Sequence, residues 1–113
     1  MAPPLEPRLA AQRIAIAGLC QTHGVAALDV FGSAADGRFD PERSDYDFIA
    51  RFAPREGDSL ARRYVAFSEA LEALLGRHVD VMTDHPIANP YLRAAVAASR
   101  REFYVEPAAQ ASA

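Results

Sequence analysis

Three aspartates and one Gly-Ser pair carry the chemistry legible in this chain. Phe31-Gly32-Ser33 is followed, after eleven residues, by Asp45-Tyr46-Asp47, and a further aspartate, Asp80, stands inside the run His78-Val79-Asp80-Val81-Met82. On an extended strand residues i and i+2 share a face, so Asp45 and Asp47 point the same way while Tyr46 and Phe48 turn to the core. Two carboxylates that close repel each other unless a cation or a proton comes between them. Mg²⁺ suits the pair, because it takes oxygen ligands and commonly bridges one or two carboxylates to phosphate oxygens. If the strand of Asp80 lies beside that of Asp45, a third carboxylate joins the same face. Three carboxylates can hold two metals, one orienting a triphosphate and its leaving pyrophosphate, the other lowering the pKa of an attacking hydroxyl. Gly32 lets the backbone approach phosphate oxygens closely, and the Ser33 hydroxyl with nearby N–H groups can donate to them. Each part alone also reads as ordinary structure, and the mid-strand Asp80 would be satisfied by an arginine as well as by a metal. It is the combination, in this order, that points to an enzyme.

The elements that must position these residues follow from spacing. Pro7 starts a helix in which Leu9, Ile16, Leu19 and Cys20 recur at near-helical intervals up to His23-Gly24. Val25 to Phe31 is a compact apolar run ending at Gly32, the pattern of a buried strand. Residues 33–44 are polar and hold a glycine, a proline and five charges, which makes them a loop or a short turn of helix. Asp45 to Phe52 alternates as a second strand. Asp58-Ser59 caps a helix whose Leu60, Tyr64, Phe67, Leu71 and Leu74 line one face, leaving Arg62, Arg63, Glu69 and Glu72 for solvent; Gly76 ends it. Arg77 to Thr83 reads as a third strand, with Val79 and Val81 on one side and His78, Asp80 and Met82 on the other. Asn89-Pro90 opens a last helix through Arg100, and Glu102 to Val105 is a candidate edge strand. The order predicts an α/β fold, a sheet with helices packed on it.

Composition sets the frame. The 113 residues make one domain, expected over 1–113 with fraying at about 1–6 and 107–113. The net charge of −3 argues against broad nonspecific binding to nucleic acid. All twelve basic residues are arginine, so a lysine nucleophile is excluded. The single cysteine, Cys20, cannot form an internal disulfide and packs as a core residue; a cytoplasmic setting is the expectation. No segment approaches the roughly 18 apolar residues of a membrane span. His23, His78 and His85 show no metal-binding spacing among themselves, although His78 shares a strand face with Asp80.

Val30-Phe31-Gly32-Ser33, Ser44-Asp45-Tyr46-Asp47-Phe48 and Val79-Asp80-Val81 together resemble the signature of the polymerase-beta-like nucleotidyltransferases. The short chain and Asn89-Pro90-Tyr91-Leu92-Arg93 resemble the minimal nucleotidyltransferases, the antitoxin halves of HEPN/MNT toxin–antitoxin pairs. The resemblance spans roughly Val25 to Val105. It implies a small mixed β-sheet flanked by α-helices, the nucleotidyltransferase fold. It also implies Asp45, Asp47 and Asp80 as catalytic residues and Mg²⁺ ligands, with nucleotide phosphates held at Gly32 and Ser33. The implied reaction moves AMP from ATP to a hydroxyl, a tyrosine in some members, of a HEPN ribonuclease toxin bound as a hetero-oligomer. One departure stands out. Family members often continue from Gly-Ser to an Arg-Gly, where this chain has Asp36-Gly37, an acid that repels triphosphate unless Arg38 or Arg43 compensates. It keeps open a second reading, a binding-only antitoxin that masks its toxin and carries a vestigial nucleotide site. A stand-alone antibiotic-modifying transferase fits less well, because enclosing a drug takes more chain.

Overall fold

The computed structural model describes residues 3–57, 59–84 and 87–107. β1 (Val25–Phe31) runs antiparallel to both β2 (Tyr46–Phe52) and β4 (Arg101–Val105), and β2 pairs in parallel with β3 (Val79–Thr83). The order β3-β2-β1-β4 makes a mixed four-stranded sheet, the architecture the resemblance implies.

Helices cover both faces. α2 (Arg13–His23) and α4 (Leu60–Leu75) close over the main core, in which Ile16, Leu28, Val30, Tyr46, Phe48, Phe67 and Leu71 have no exposed surface. The other face is thinner. There α5 (Pro90–Ser99) lays Val96 against Phe31 and Ile49, flanked by Met82 and Ile87. Because side chains alternate along a strand, Asp47 and Asp80 share this thinner face with Ile49 and Met82, while Tyr46, Phe48, Val79 and Val81 fill the main core. Asn89 starts α5 by accepting the Tyr91 and Leu92 N–H groups on Oδ1. Ser59 starts α4 by accepting from the Arg62 N–H; its expected companion Asp58 lies outside the described residues.

Three expectations change. The single helix expected from Pro7 to His23 is two, α1 (Pro7–Ala11) and α2, divided at Gln12. Arg63, expected in solvent, is only 9% exposed: α4 turns Arg63, Phe67 and Leu71 inward, and Leu60 is left 49% exposed. The Arg63 guanidinium lies over the Phe52 ring and donates from Nη1 to the His23 and Gly24 carbonyls, where the negative end of the α2 dipole favours a cation. Fraying does not extend through residues 3–6. The Pro3 carbonyl accepts from Arg101 Nη1 at 2.5 Å, and the Glu6 N–H donates to Ala34 O at 3.0 Å. Met1, Ala2 and residues 108–113 lie outside the described residues.

Glu6 explains the anchoring. Its carboxylate, 7% exposed, accepts the Arg8 and Leu9 N–H groups, so it caps α1, and it also accepts the Tyr46 hydroxyl at 2.6 Å. A buried carboxylate needs such donors, and their combined attraction outweighs the entropy of a loose chain end. Tyr46→Phe removes one of them and is expected to cost about 1.5–3 kcal/mol of unfolding free energy, the range for a hydrogen bond to a charged group. Urea unfolding of the two proteins measures it, and equal midpoints would show that the anchor is dispensable.

Candidate active site

Strand register brings the acidic residues together. Asp47 sits opposite Asp80 across the β2–β3 pairing and opposite Phe31 across β1–β2, so Phe31, Asp47 and Asp80 form one row across the sheet. Asp45 lies two residues before Asp47, at the end of a loop that is well tied. Ser44 Oγ accepts the Asp40 N–H, the Ser44 N–H returns to Asp40 O, and Arg77 clamps the loop from outside. Its guanidinium donates to the Ser44 and Pro41 carbonyls, both at 2.7 Å, and lies over the Phe39 and Tyr46 rings. Nothing in the motif marks Arg77, which precedes the third strand, for this task.

The Asp47 carboxyl is pushed up to about 6. Burial is the main cause, followed by the negative charges of Asp80 and Asp45 and by a hydrogen bond shared with Asp80. His78 answers this excess of negative charge. Its Nε2 lies 2.9 Å from Asp80 Oδ1 and its Nδ1 3.1 Å from Glu72 Oε2. The hydrogen bond to Asp80 raises the imidazole above its ordinary value, aided by the charges of Asp80, Asp45 and Glu72. Glu72, expected to face solvent only, also accepts the Val79 N–H on Oε2, and the Tyr64 hydroxyl donates to Val81 O. α4 therefore pins the outer edge of β3 on both sides of Asp80. Donor atoms of Asp45, His78 and Asp80 all lie within 4.8 Å of one another. Asp47 stands next to this trio with its carboxylate turned toward Gly32.

Gly32 is shaped for that neighbour. Its backbone (φ 75°, ψ −153°) lies in a region essentially reserved for glycine, and a Cβ there would stand 2.7 Å from Asp47 Oδ2. Its N–H is taken by Ser99 Oγ at 2.8 Å, a partner 67 residues away that no local pattern reveals. Ser33 opens the one-turn helix α3 (Ser33–Asp36) and lines a separate cavity of about 370 Å³ with Leu5, Glu6 and Phe39. The structure thus brings Gly32, Asp45, Asp47 and Asp80 together, adds His78, and sets Ser33 to one side. Asp36 is not a bare acid. Arg38 binds it through Nε, Nη2 and the backbone N–H, at 3.0, 2.6 and 3.1 Å, which holds the Asp36 carboxyl below its ordinary value.

Comparison with known proteins settles the family. The profile described as nucleotidyltransferase domain matches residues 13–103, from the start of α2 into β4. The chain belongs to the nucleotidyltransferase domain family. A Methanocaldococcus jannaschii protein provisionally named a protein adenylyltransferase is 35% identical over 72 residues, which cover 64% of this chain and 70% of that protein. A solved structure provisionally named a minimal nucleotidyltransferase is also 35% identical and superposes with a TM-score of 0.65, covering 87% of this chain and 95% of its own. The complex of a tri-AMPylated Shewanella oneidensis HEPN toxin with its MNT antitoxin shares the fold at 17% identity, with a TM-score of 0.57 over 90% of this chain and 76% of its own.

Nucleotidyltransferases of this kind use a nucleotide and a divalent metal, and the donor set here fits one. Asp45, Asp47 and Asp80 present hard oxygen donors, and a cation offsets what raises the Asp47 value, burial first and the Asp80 and Asp45 charges second. Beside them lies a cavity of about 510 Å³ bounded by Asp47, Asp80, His78 and the apolar side chains of Phe31, Tyr64, Met82 and Leu92. Burial pushes the Cys20 thiol up to about 12, which removes it as a nucleophile. No helix among the described residues is long and apolar enough to cross a membrane.

Proposed function

We propose that this nucleotidyltransferase is the antitoxin of a toxin–antitoxin pair and transfers AMP from ATP to a hydroxyl, most simply a tyrosine, of a HEPN-type ribonuclease partner in the cytoplasm. The observation that carries the reading is the register-matched pair Asp47 and Asp80, with Asp45 and Gly32 beside it. The adenylyltransferase name of the relative and the AMPylated toxin in the structural neighbour support the choice of nucleotide and of partner.

Asp45, Asp47 and Asp80 would hold Mg²⁺, which when bound supplies charge neutralisation of the triphosphate and acidification of the acceptor hydroxyl. The chain's own residues do the rest. Gly32 lets the backbone come close to the phosphates, and the 510 Å³ cavity receives the acceptor side chain on an apolar wall of Phe31, Tyr64, Met82 and Leu92. Such a wall suits an aromatic ring brought in by a protein. Asp80 borders both the cavity and the other carboxylates and takes the acceptor's proton. The acceptor oxygen then bonds to the α-phosphorus, the bond from that phosphorus to the bridging oxygen breaks, and pyrophosphate leaves.

The binding-only reading rests on Asp36 as a repulsive acid, and its pairing with Arg38 weakens that argument. Intact mass spectrometry of the toxin encoded beside this gene, after incubation with this protein, ATP and Mg²⁺, tests the proposal. Added mass of one or more AMP units, absent with Asp45→Asn, is expected. An unmodified toxin silenced in a stable complex would instead support masking.

A further inference from the structure

We propose that His78 is itself a ligand of the metal at this site, so that the protein takes an imidazole-accepting divalent ion such as Mn²⁺ in preference to Mg²⁺. The inference rests on the carboxylate cluster being a metal site, and it names a donor that the aspartate motif does not contain.

Geometry carries it. Two donors on one ion stand about 3 to 4 Å apart when each bond is near 2.1 Å. His78 Nε2 and Asp80 Oδ1 are 2.9 Å apart, and the Asp45 donor joins them with all three inside 4.8 Å. One nitrogen and two oxygens are thus close enough for small side-chain adjustments to bring all three onto one ion. The far side of the ring has the matching feature. Metal-binding histidines commonly give their other N–H to a carboxylate, which fixes the tautomer and the ring plane. His78 Nδ1 meets Glu72 Oε2 at 3.1 Å, and that same oxygen accepts the Val79 N–H at 3.2 Å, so α4 holds the ring from behind. A histidine serving only as a surface ion-pair partner of Asp80 has no need of this second support.

Ligand chemistry then sets the preference. Carboxylates suit Mg²⁺ and Mn²⁺ alike, and an added imidazole, a donor for first-row transition ions, tips the choice away from Mg²⁺. Asp47, turned toward Gly32, remains available to a second ion or to the nucleotide's own metal.

The test uses the whole chain and Mn²⁺ alone, without nucleotide or partner. Paramagnetic resonance titration gives the affinity, competition with Mg²⁺ gives the preference, and electron spin-echo modulation reports a directly bound nitrogen. Wild-type protein is expected to show the nitrogen signal and at least a roughly tenfold preference for Mn²⁺. His78→Gln is expected to lose the signal and about tenfold or more in Mn²⁺ affinity, with a smaller change for Mg²⁺. Glu72→Gln should keep the signal and bind more weakly by about tenfold or more, the usual effect of losing a supporting carboxylate. The His78 side chain is 59% exposed, so its replacement leaves the fold intact. Mn²⁺ bound without nitrogen modulation, and equally well by His78→Gln, would overturn the assignment while leaving an aspartate metal site standing. Failure of the wild-type protein to bind Mn²⁺ at all would overturn it together with the metal-dependent reading.

Discussion

Asp47→Asn is expected to reduce nucleotidyl transfer by on the order of 10³-fold or more while making the metal-free protein more heat-stable at pH 7. The first half follows from removing a carboxylate that stabilises charge in the transition state, an effect comparable to losing a preorganised electrostatic group. The second half follows from linkage. Burial and the Asp80 and Asp45 charges raise Asp47 from 3.8 to about 6 in the fold, so between about pH 4 and 6 the native state binds more protons than the unfolded chain. Stability must therefore fall as pH rises through that window, and at pH 7 the whole penalty is present. His78 adds a slope of the same sign. Its raised value contributes stability below the unfolded value near 6.5 that is lost as pH rises through the native one. Discounted for partial exposure, relief of the Asp47 term is worth on the order of 1 kcal/mol, or about 4 °C in Tm. Scanning calorimetry of both proteins in chelator, at pH 4 and pH 7, measures it. The variant should be more stable at pH 7, with the gap closing near pH 4. Equal or lower stability of the variant at pH 7 would mean that the three carboxylates are not held against their mutual repulsion. Added metal should raise the Tm of both proteins, and by more in the wild type, where the cation also offsets the buried Asp47 charge.

Gly32→Ala is expected to damage fold and chemistry together. Placing a non-glycine residue at φ 75°, ψ −153° costs about 1–3 kcal/mol of backbone strain. The new methyl would stand 2.7 Å from Asp47 Oδ2, closer than real contacts allow, and the flexible end of that side chain is what yields. A displaced Asp47 leaves its place opposite Asp80, and a shift of about 1 Å at a reacting centre is enough for roughly 100-fold in rate. The Gly32 N–H···Ser99 bond, which ties the turn to the last residue of α5, is strained at the same time. Urea unfolding together with the transfer rate separates the two effects. Ser99→Ala serves as a comparison, because it removes the bond and leaves the glycine backbone free. A Gly32→Ala protein as active as wild type would show that the close approach of Asp47 to the turn has no role.

How much of this site was legible in the sequence depended on the range of the interaction. The placement of Asp47 and Asp80 on one face follows from strict alternation in Asp45 to Phe52 and from Val79-Asp80-Val81, because a strand commits every second side chain to one side. The sheet with helices packed on it was legible as well: Val25 to Phe31 is apolar but for Asp29, the pattern of a buried strand. Arg63 escaped because a guanidinium reads as solvent until the end of α2 and the Phe52 ring are placed beside it. Glu72 escaped likewise. His78 was legible as a neighbour of Asp80 on one strand face, but its pairing with Glu72 appears only when α4 lies along the edge of β3. Ser99, Arg77 and the buried Glu6 act across 67, 33 and 40 residues respectively, distances at which no periodicity carries information. The Arg38 pairing with Asp36 spans two residues and lay within reach of the sequence, where Arg38 was already a candidate to offset that acid.

The most direct test of the account follows the label from ATP. Protein, its HEPN-type partner and Mg²⁺ are incubated with ATP labelled at the α-phosphorus or, in parallel, at the γ-phosphorus, and the partner is separated under denaturing conditions. Nucleotidyl transfer predicts covalent label from the α position, none from the γ position, and release of labelled pyrophosphate in the γ sample. Label arriving from the γ position would make the protein a phosphotransferase, and an unlabelled partner in both samples would contradict the transfer itself.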